Sequence, residues 1–222
     1  RPLLGDRVNG PIGIAIDVLA VLATVFGVAT TLGFGTLQIE SGLQMLFGVQ
    51  PSDWLTVAIV VIATALFLLS SLTGLSRGIK WLSNLNICLA ILLFLAVVVL
   101  GPTGFIFDTF TTTLGDYLGN LTSTSLRMSP FTQGTWMANW TLFYWAWWVT
   151  WAPFVGMFIA RVSRGRTIRE FIVGVLLVPA LASFVWFSAF GGAALDLQLF
   201  GGADLVSAVK SDVSTALYVM FE

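Results

Sequence analysis

The 222-residue chain has no histidine and one cysteine, and only 9% of its residues are charged. Each scarcity removes a class of function. Without histidine, the commonest general base, proton shuttle and metal ligand is gone. Cys88 stands alone in the apolar segment NICLAILLFL, which leaves no disulfide framework and no thiolate metal site; it reads as a small apolar packing residue. Ten basic residues against eleven acidic ones give a net charge of −1, and without a basic patch no nucleic acid partner is expected. No nucleophile is paired with a base, and no glycine-rich phosphate loop or close pair of buried carboxylates occurs. Neither an enzyme nor an ATP-driven pump is indicated.

What the chain has is apolar surface: 57% of it is hydrophobic, which fits an all-α membrane protein and not a soluble domain. Crossing a hydrocarbon core of about 30 Å takes roughly 20 helical residues. Five stretches qualify, near residues 12–37, 53–73, 80–101, 138–161 and 168–193. Pro51, Ser52 and Asp53 open the second as a cap with an acidic first turn, and Gly74 closes it. Gly101 with Pro102 closes the third, and Gly191 with Gly192 the fifth. Residues 103–135 mix Phe105, Ile106, Phe107, Phe110, Leu114, Tyr117 and Leu118 with Asp108, Thr111, Thr112, Thr113 and Asp116. That pattern predicts amphipathic structure along the external interface, with residues 40–48 doing the same on a smaller scale. Residues 1–10 are polar, with neither a signal-peptide pattern nor an initiator methionine. Residues 1–222 therefore read as a single incomplete transmembrane domain, a fragment of a longer polypeptide.

Cytoplasmic loops carry the excess of lysine and arginine. With a cytoplasmic start, Arg1, Arg7, Arg77, Lys80, Arg161, Arg164, Arg166 and Arg169 lie inside, and only Arg127 and Lys210 outside. Glu40, Asp53, Asp108, Asp116, Asp196, Asp204 and Asp212 fall on the external side.

The densest chemistry lies in residues 136–169, where six of the nine tryptophans precede Pro153, Gly156 and four arginines. On a helix, Trp147, Trp151 and Phe154 share a face with Tyr144, and Trp148 sits about 100° around. Quaternary ammonium groups cannot donate hydrogen bonds, so proteins enclose them in ring faces at roughly 0.5 to 2 kcal/mol per ring. A trimethylammonium compound is the natural first ligand. Trp136, Trp140 and Trp145 sit near the external end and suit an interfacial belt, whereas Trp147, Trp148 and Trp151 lie too deep for anchoring. Pro153 leaves the Val149 carbonyl without its usual partner, and Gly156 adds a second weak point. The segment is expected either to kink as proline helices do or to break and line a midplane site.

In the first span, Ala23, Gly27, Thr31 and Gly35 form a small-residue ridge that permits close helix packing. Thr24, beside it, offers a hydroxyl that either coordinates an alkali cation or bonds back to the preceding turn. Asp17, one turn into the membrane, is a functional candidate or a partner for Arg7 or a loop arginine. Arg161, Arg164, Arg166 and Arg169, with Glu170, anchor two adjacent spans on the inside or form a gate there.

The segment FYWAWWVTWAPFVGMFIARVSRGRTIREF closely resembles the diagnostic stretch of the betaine/choline/carnitine transporter family. The likeness extends to IDVLAVLATVFGVATTLGFGTLQI, PSDW, SLTGLSRGIKWLSNLN and GVLLVPALASFVWFSAFGG, nearly the whole chain. The resemblance implies a multi-pass protein of the bacterial cytoplasmic membrane with twelve helices. Two inverted five-helix repeats form a LeuT-like core, often in homotrimers, and this chain resembles the last three helices of one repeat and the first two of the next. The lipid bilayer and the remaining helices of the parent chain would be its partners. It implies ion-coupled import of glycine betaine, choline or a related osmoprotectant, with Trp147, Trp148 and Trp151 in the aromatic box and Trp140 on the access path.

Sodium-coupled members build a cation site from two threonines a turn apart and the phenylalanine after the proline. Thr24 and Phe154 match, but Val28 stands at the second hydroxyl position. The sodium-independent carnitine exchangers place methionine where this chain has Val155. No cofactor is implied beyond sodium as a coupling ion. A channel or a non-transporting binder of cationic ligands is the alternative, although channels need polar residues repeated along a pore-lining face and these spans show few.

Overall fold

The computed structural model describes residues 5–72, 78, 80–128, 131 and 134–221, except the side chain of Val162. The described residues form helices and connecting turns, with no strand. A 3-10 turn at Gly5–Asn9 leads into α1 (Pro11–Phe47), followed by α2 (Asp53–Leu72), α3 (Lys80–Leu100), α4 (Thr103–Gly119) and α5 (Leu121–Ser125). A π-helical turn at Met137–Leu142 enters α6 (Phe143–Val162), and α7 (Ile168–Leu199), α8 (Leu205–Ser211) and α9 (Ala216–Phe221) complete the order. Among the described residues, five segments are long and apolar enough to cross a membrane: α1, α2, α3, Met137–Arg161 and α7. These are the five expected stretches.

Their ends differ from expectation at three places. α1 has 37 residues, about 56 Å of helix, and continues past residue 37 through Glu40, where a separate interfacial segment was expected. Nothing between them breaks the helix, and Glu40 has partners on α2, so the polar stretch costs little. Gly48, with φ +69°, ends it, and its amide donates to the Gln44 carbonyl at 2.9 Å. α7 likewise passes Gly191 and Gly192 and stops before Gly202, whose φ is +76°. Gly192 is a packing glycine and not a cap: a β-carbon there would lie 3.4 Å from the Ile106 backbone. α6 runs unbroken through Pro153 and Gly156, so of the two expectations for this segment, a kink or a break, the break at these residues is corrected. One lost hydrogen bond leaves the rest of the ladder intact on either side. The irregularity falls earlier, in the wide turn at Met137–Leu142. The start of α2 is as expected, with Ser52 Oγ accepting from the Leu55 amide at 3.2 Å, while the expected stop at Gly74 lies outside the described residues.

The chain divides into two compact units, Arg1–Gly33 with Ser125–Ile172, and Phe34–Thr124 with Val173–Glu222. In the first, Gly27 of α1 packs under Thr150 and Trp151 of α6. The second holds the apolar core, where Val97, Ile106, Ala189 and Ala193 meet Phe94, Val98, Phe190 and Met220. Small residues Ser188, Ala189, Gly192 and Ala193 give α7 a flat face there, so α4 packs closely on it. Tyr117 meets Phe184 with ring centroids 5.0 Å apart. The predicted amphipathic segment is thus α4 and α5, with α4 docked by its apolar side.

The structure exposes 17135 Å², against about 10,000 Å² for a compact soluble chain of this mass. The excess is apolar, with Leu100 85% and Phe67 66% exposed. Lipid or further apolar helices satisfy such a surface, and water does not.

Candidate functional site

Within the first unit, α6 carries the aromatic stripe. Rings three and four residues apart meet along it. Trp140 stacks on Tyr144 at 6.1 Å and 9°; Tyr144 meets Trp147 edge-on at 5.8 Å, and Phe143 lies 6.2 Å from Trp147. One turn deeper, Trp151 meets Phe154 at 5.9 Å and 71°.

Trp147, Trp148 and Trp151 line one cavity of about 470 Å³, together with Thr31, Ala152 and Val155. This falls within the roughly 300–1,000 Å³ of small-molecule sites. Trp147 and Trp151 are half-buried. Trp148 is 72% exposed and also borders a second apolar hollow with Tyr144, Trp145, Val149 and Ala152. Among the described residues no carboxylate or ammonium lines the first cavity, whose wall is mainly ring faces and apolar side chains. Trp140 lies at the N-terminal end of the ring series and outside the described cavity lining.

Thr24 and Phe154 come together in another hollow of the same unit, with Ala20, Val21, Val25, Val28, Ala29, Leu32, Pro153 and Met157. Among the described lining residues Thr24 alone has a side-chain oxygen, and its hydroxyl donates to the Ala20 carbonyl at 2.8 Å. Thr31 likewise donates to the Gly27 carbonyl at 3.0 Å. A sodium ion prefers several oxygens, and Val28 contributes none.

Arg161 ends α6, Arg164 and Arg166 flank Gly165 with its φ of +84°, and Arg169 sits in the first turn of α7. All four are exposed. Arg161 favours the negative end of the α6 dipole. Thr167 and Glu170 cap α7 reciprocally: the Thr167 amide donates to Glu170 Oε2 at 3.0 Å, and the Glu170 amide to Thr167 Oγ1 at 3.3 Å. The threonine-to-glutamate spacing in TIRE signals this box in the sequence. Asp17 is exposed on α1.

Sequence reasoning did not place Thr31, Ala152 and Val155 in the cavity wall. Ala152 and Val155 follow Trp148 at helical spacing, a signal that was present; Thr31 needed the α1–α6 contact.

A family model described as "BCCT, betaine/carnitine/choline family transporter" matches residues 1–222. The glycine betaine transporter OpuD of Bacillus subtilis is 54% identical over 98% of this chain and 42% of its own length. The ectoine/hydroxyectoine transporter of Virgibacillus pantothenticus is 46% identical over 100% of this chain and 44% of its own. A glycine betaine transporter of Acinetobacter baylyi is 44% identical over 98% of this chain and 33% of its own. The chain thus spans less than half the length of these relatives.

Proposed function

The chain belongs to the betaine/carnitine/choline family of transporters, and from that premise we propose that its parent polypeptide imports a quaternary ammonium solute, glycine betaine, choline or a close analogue, across the bacterial cytoplasmic membrane. The observation that carries this reading is the convergence of Trp147, Trp148 and Trp151 on one apolar cavity. A methylated ammonium group gives up hydration it cannot replace with hydrogen bonds, and ring faces offset that loss at roughly 0.5 to 2 kcal/mol each. Three rings supply enough to hold the solute without trapping it.

Transport is driven by an ion gradient with alternating access, in which packed helices shift around a fixed site. Trp140, stacked on Tyr144, forms part of the outer approach. Thr24 and Phe154 contribute to a cation site that other helices complete, and Val28 weakens the sodium reading. The arginines from Arg161 to Arg169 act as the cytoplasmic anchor, and this excess of positive charge supports a cytoplasmic start of the chain. The identities to glycine betaine transporters support the solute class, and the ectoine relative makes ectoine a necessary competitor.

The test is uptake of labelled glycine betaine, choline and ectoine by vesicles bearing the full-length parent, with and without a sodium gradient. Saturable uptake of a methylated ammonium solute is expected. Uptake confined to ectoine removes the solute assignment, and uptake indifferent to replacing sodium with potassium removes sodium coupling in favour of protons or exchange.

A further inference from the structure

We propose that Gly27 is a positioning residue: the absence of a side chain there seats the Trp151 indole, and so sets the size of cationic headgroup that the cavity admits. The inference rests on the proposed function, because it takes the cavity as the seat of a methylated ammonium group. Gly27 is buried on α1. A β-carbon on it would lie 2.8 Å from Thr150 Oγ1, 3.2 Å from Trp151 Nε1 and 3.3 Å from Trp151 Cδ1. A methyl group cannot keep the 2.8 Å contact, and the two indole contacts are tight enough that the ring must give by a few tenths of an ångström.

The Thr150 hydroxyl is not free to swing aside at no cost, since it donates to the Trp147 carbonyl at 2.5 Å. Displacement therefore passes to the turn that carries Trp147 and Trp151, both of which line the cavity. Helix propensity gives no reason for glycine at this position, because alanine is the better helix former. Nor is glycine required along the whole ridge: β-carbons on Gly33 and Gly35 would meet nothing within 4 Å. The requirement is local to the indole. Pushed away from α1, the indole moves into the space that the largest headgroup needs, so a trimethylated ammonium suffers more than a dimethylated one.

The experiment measures KM for glycine betaine and for dimethylglycine in proteoliposomes of the full-length parent, for wild type, Gly27→Ala, Gly33→Ala and Gly27→Ala/Thr150→Ala. Gly27→Ala is expected to raise KM for glycine betaine about tenfold, the scale of one well-placed ring contact, and to raise that for dimethylglycine less. Removing the Thr150 hydroxyl in the double variant should recover only part of the loss, since the indole contacts at 3.2 and 3.3 Å remain, and Gly33→Ala should behave as wild type. An unchanged ratio of the two KM values in Gly27→Ala, with only the maximal rate lowered, reduces Gly27 to ordinary packing and overturns the inference. Should Gly27→Ala not reach the membrane, Thr150→Ala decides: it opens space beside Gly27, and a KM ratio shifted toward glycine betaine supports the inference while a wild-type ratio overturns it. Full glycine betaine affinity in Trp151→Ala would instead overturn the functional reading itself.

Discussion

The Thr56 hydroxyl of α2 lies 3.1 and 3.3 Å from the two carboxylate oxygens of Glu40 on α1. Glu40 is 8% exposed, and its Oε1 also accepts from the Ser52 amide at 3.3 Å, an orphan donor at the start of α2. Replacing Glu40 with alanine strands the Ser52 amide, while the Thr56 hydroxyl keeps the Ser52 carbonyl at 3.2 Å, and should destabilise the full-length parent by about 1–3 kcal/mol. Glu40→Gln, which keeps an acceptor, should cost less. Thermal unfolding in detergent checks the order of the three proteins.

Trp151→Ala should weaken quaternary ammonium binding by about 3- to 30-fold, the range of one ring contact. Trp145→Ala serves as the comparison, because Trp145 is 72% exposed and lies outside the wall of the 470 Å³ cavity. Equilibrium binding of labelled glycine betaine to the two variants should separate them.

Gly42 and Tyr218 make a second close approach. A β-carbon on Gly42 would fall 2.5 Å from the Tyr218 phenol oxygen, which donates to the Gln38 carbonyl at 2.9 Å. Gly42→Ala should therefore lower the melting temperature, while Gly35→Ala, with nothing within 4 Å, should leave it unchanged or raise it. Gly42→Ala/Tyr218→Phe should recover little, since the ring carbons also lie close.

Asp204 caps α8 by accepting from the Ser207 amide at 3.1 Å. Hydrogen bonds from Ser207, side chain first and then backbone, with Lys210 adding charge, hold its carboxyl below the usual value. A depressed folded value means the cap is fully formed above the ordinary carboxylate range and is lost as pH falls through the lower, folded value. Hydrogen exchange at the Ser207 amide should accelerate relative to other α8 amides over that acidic window, and Asp204→Asn should flatten the dependence.

Val28→Thr adds a hydroxyl one turn from Thr24, in a hollow where Thr24 alone among the described lining residues has a side-chain oxygen. Initial uptake rates at graded sodium should show a lower half-saturating concentration than in the parent. No shift would indicate that the driving ion binds elsewhere.

The membrane spans were legible because crossing length and apolarity are properties of composition, which a single chain displays in full. Helix ends were less so, since glycine signals two things. Gly48 and Gly202 terminate helices through positive φ, whereas Gly192 lets another helix approach, and the choice depends on a partner invisible in sequence. The tryptophan stripe was readable from the 3.6-residue period, which brought Trp147 and Trp151 to one side of α6. The exposure of Trp148 was not, because burial is set by neighbours across space. Asp204 and Asp212 looked like scattered external charges, yet both cap: Asp212 accepts from the Ser214 amide at 2.8 Å.

The wide turn at Met137–Leu142 amounts to one surplus residue in the winding of the helix. Such a surplus rotates the preceding chain by about 100° while changing its depth by only about 1.5 Å. Bearing and depth are thereby uncoupled: the indole of Trp136 can be turned like a dial without raising or lowering the inner rings. A one-codon deletion there would re-aim Trp136 and leave Trp147 and Trp151 where they are.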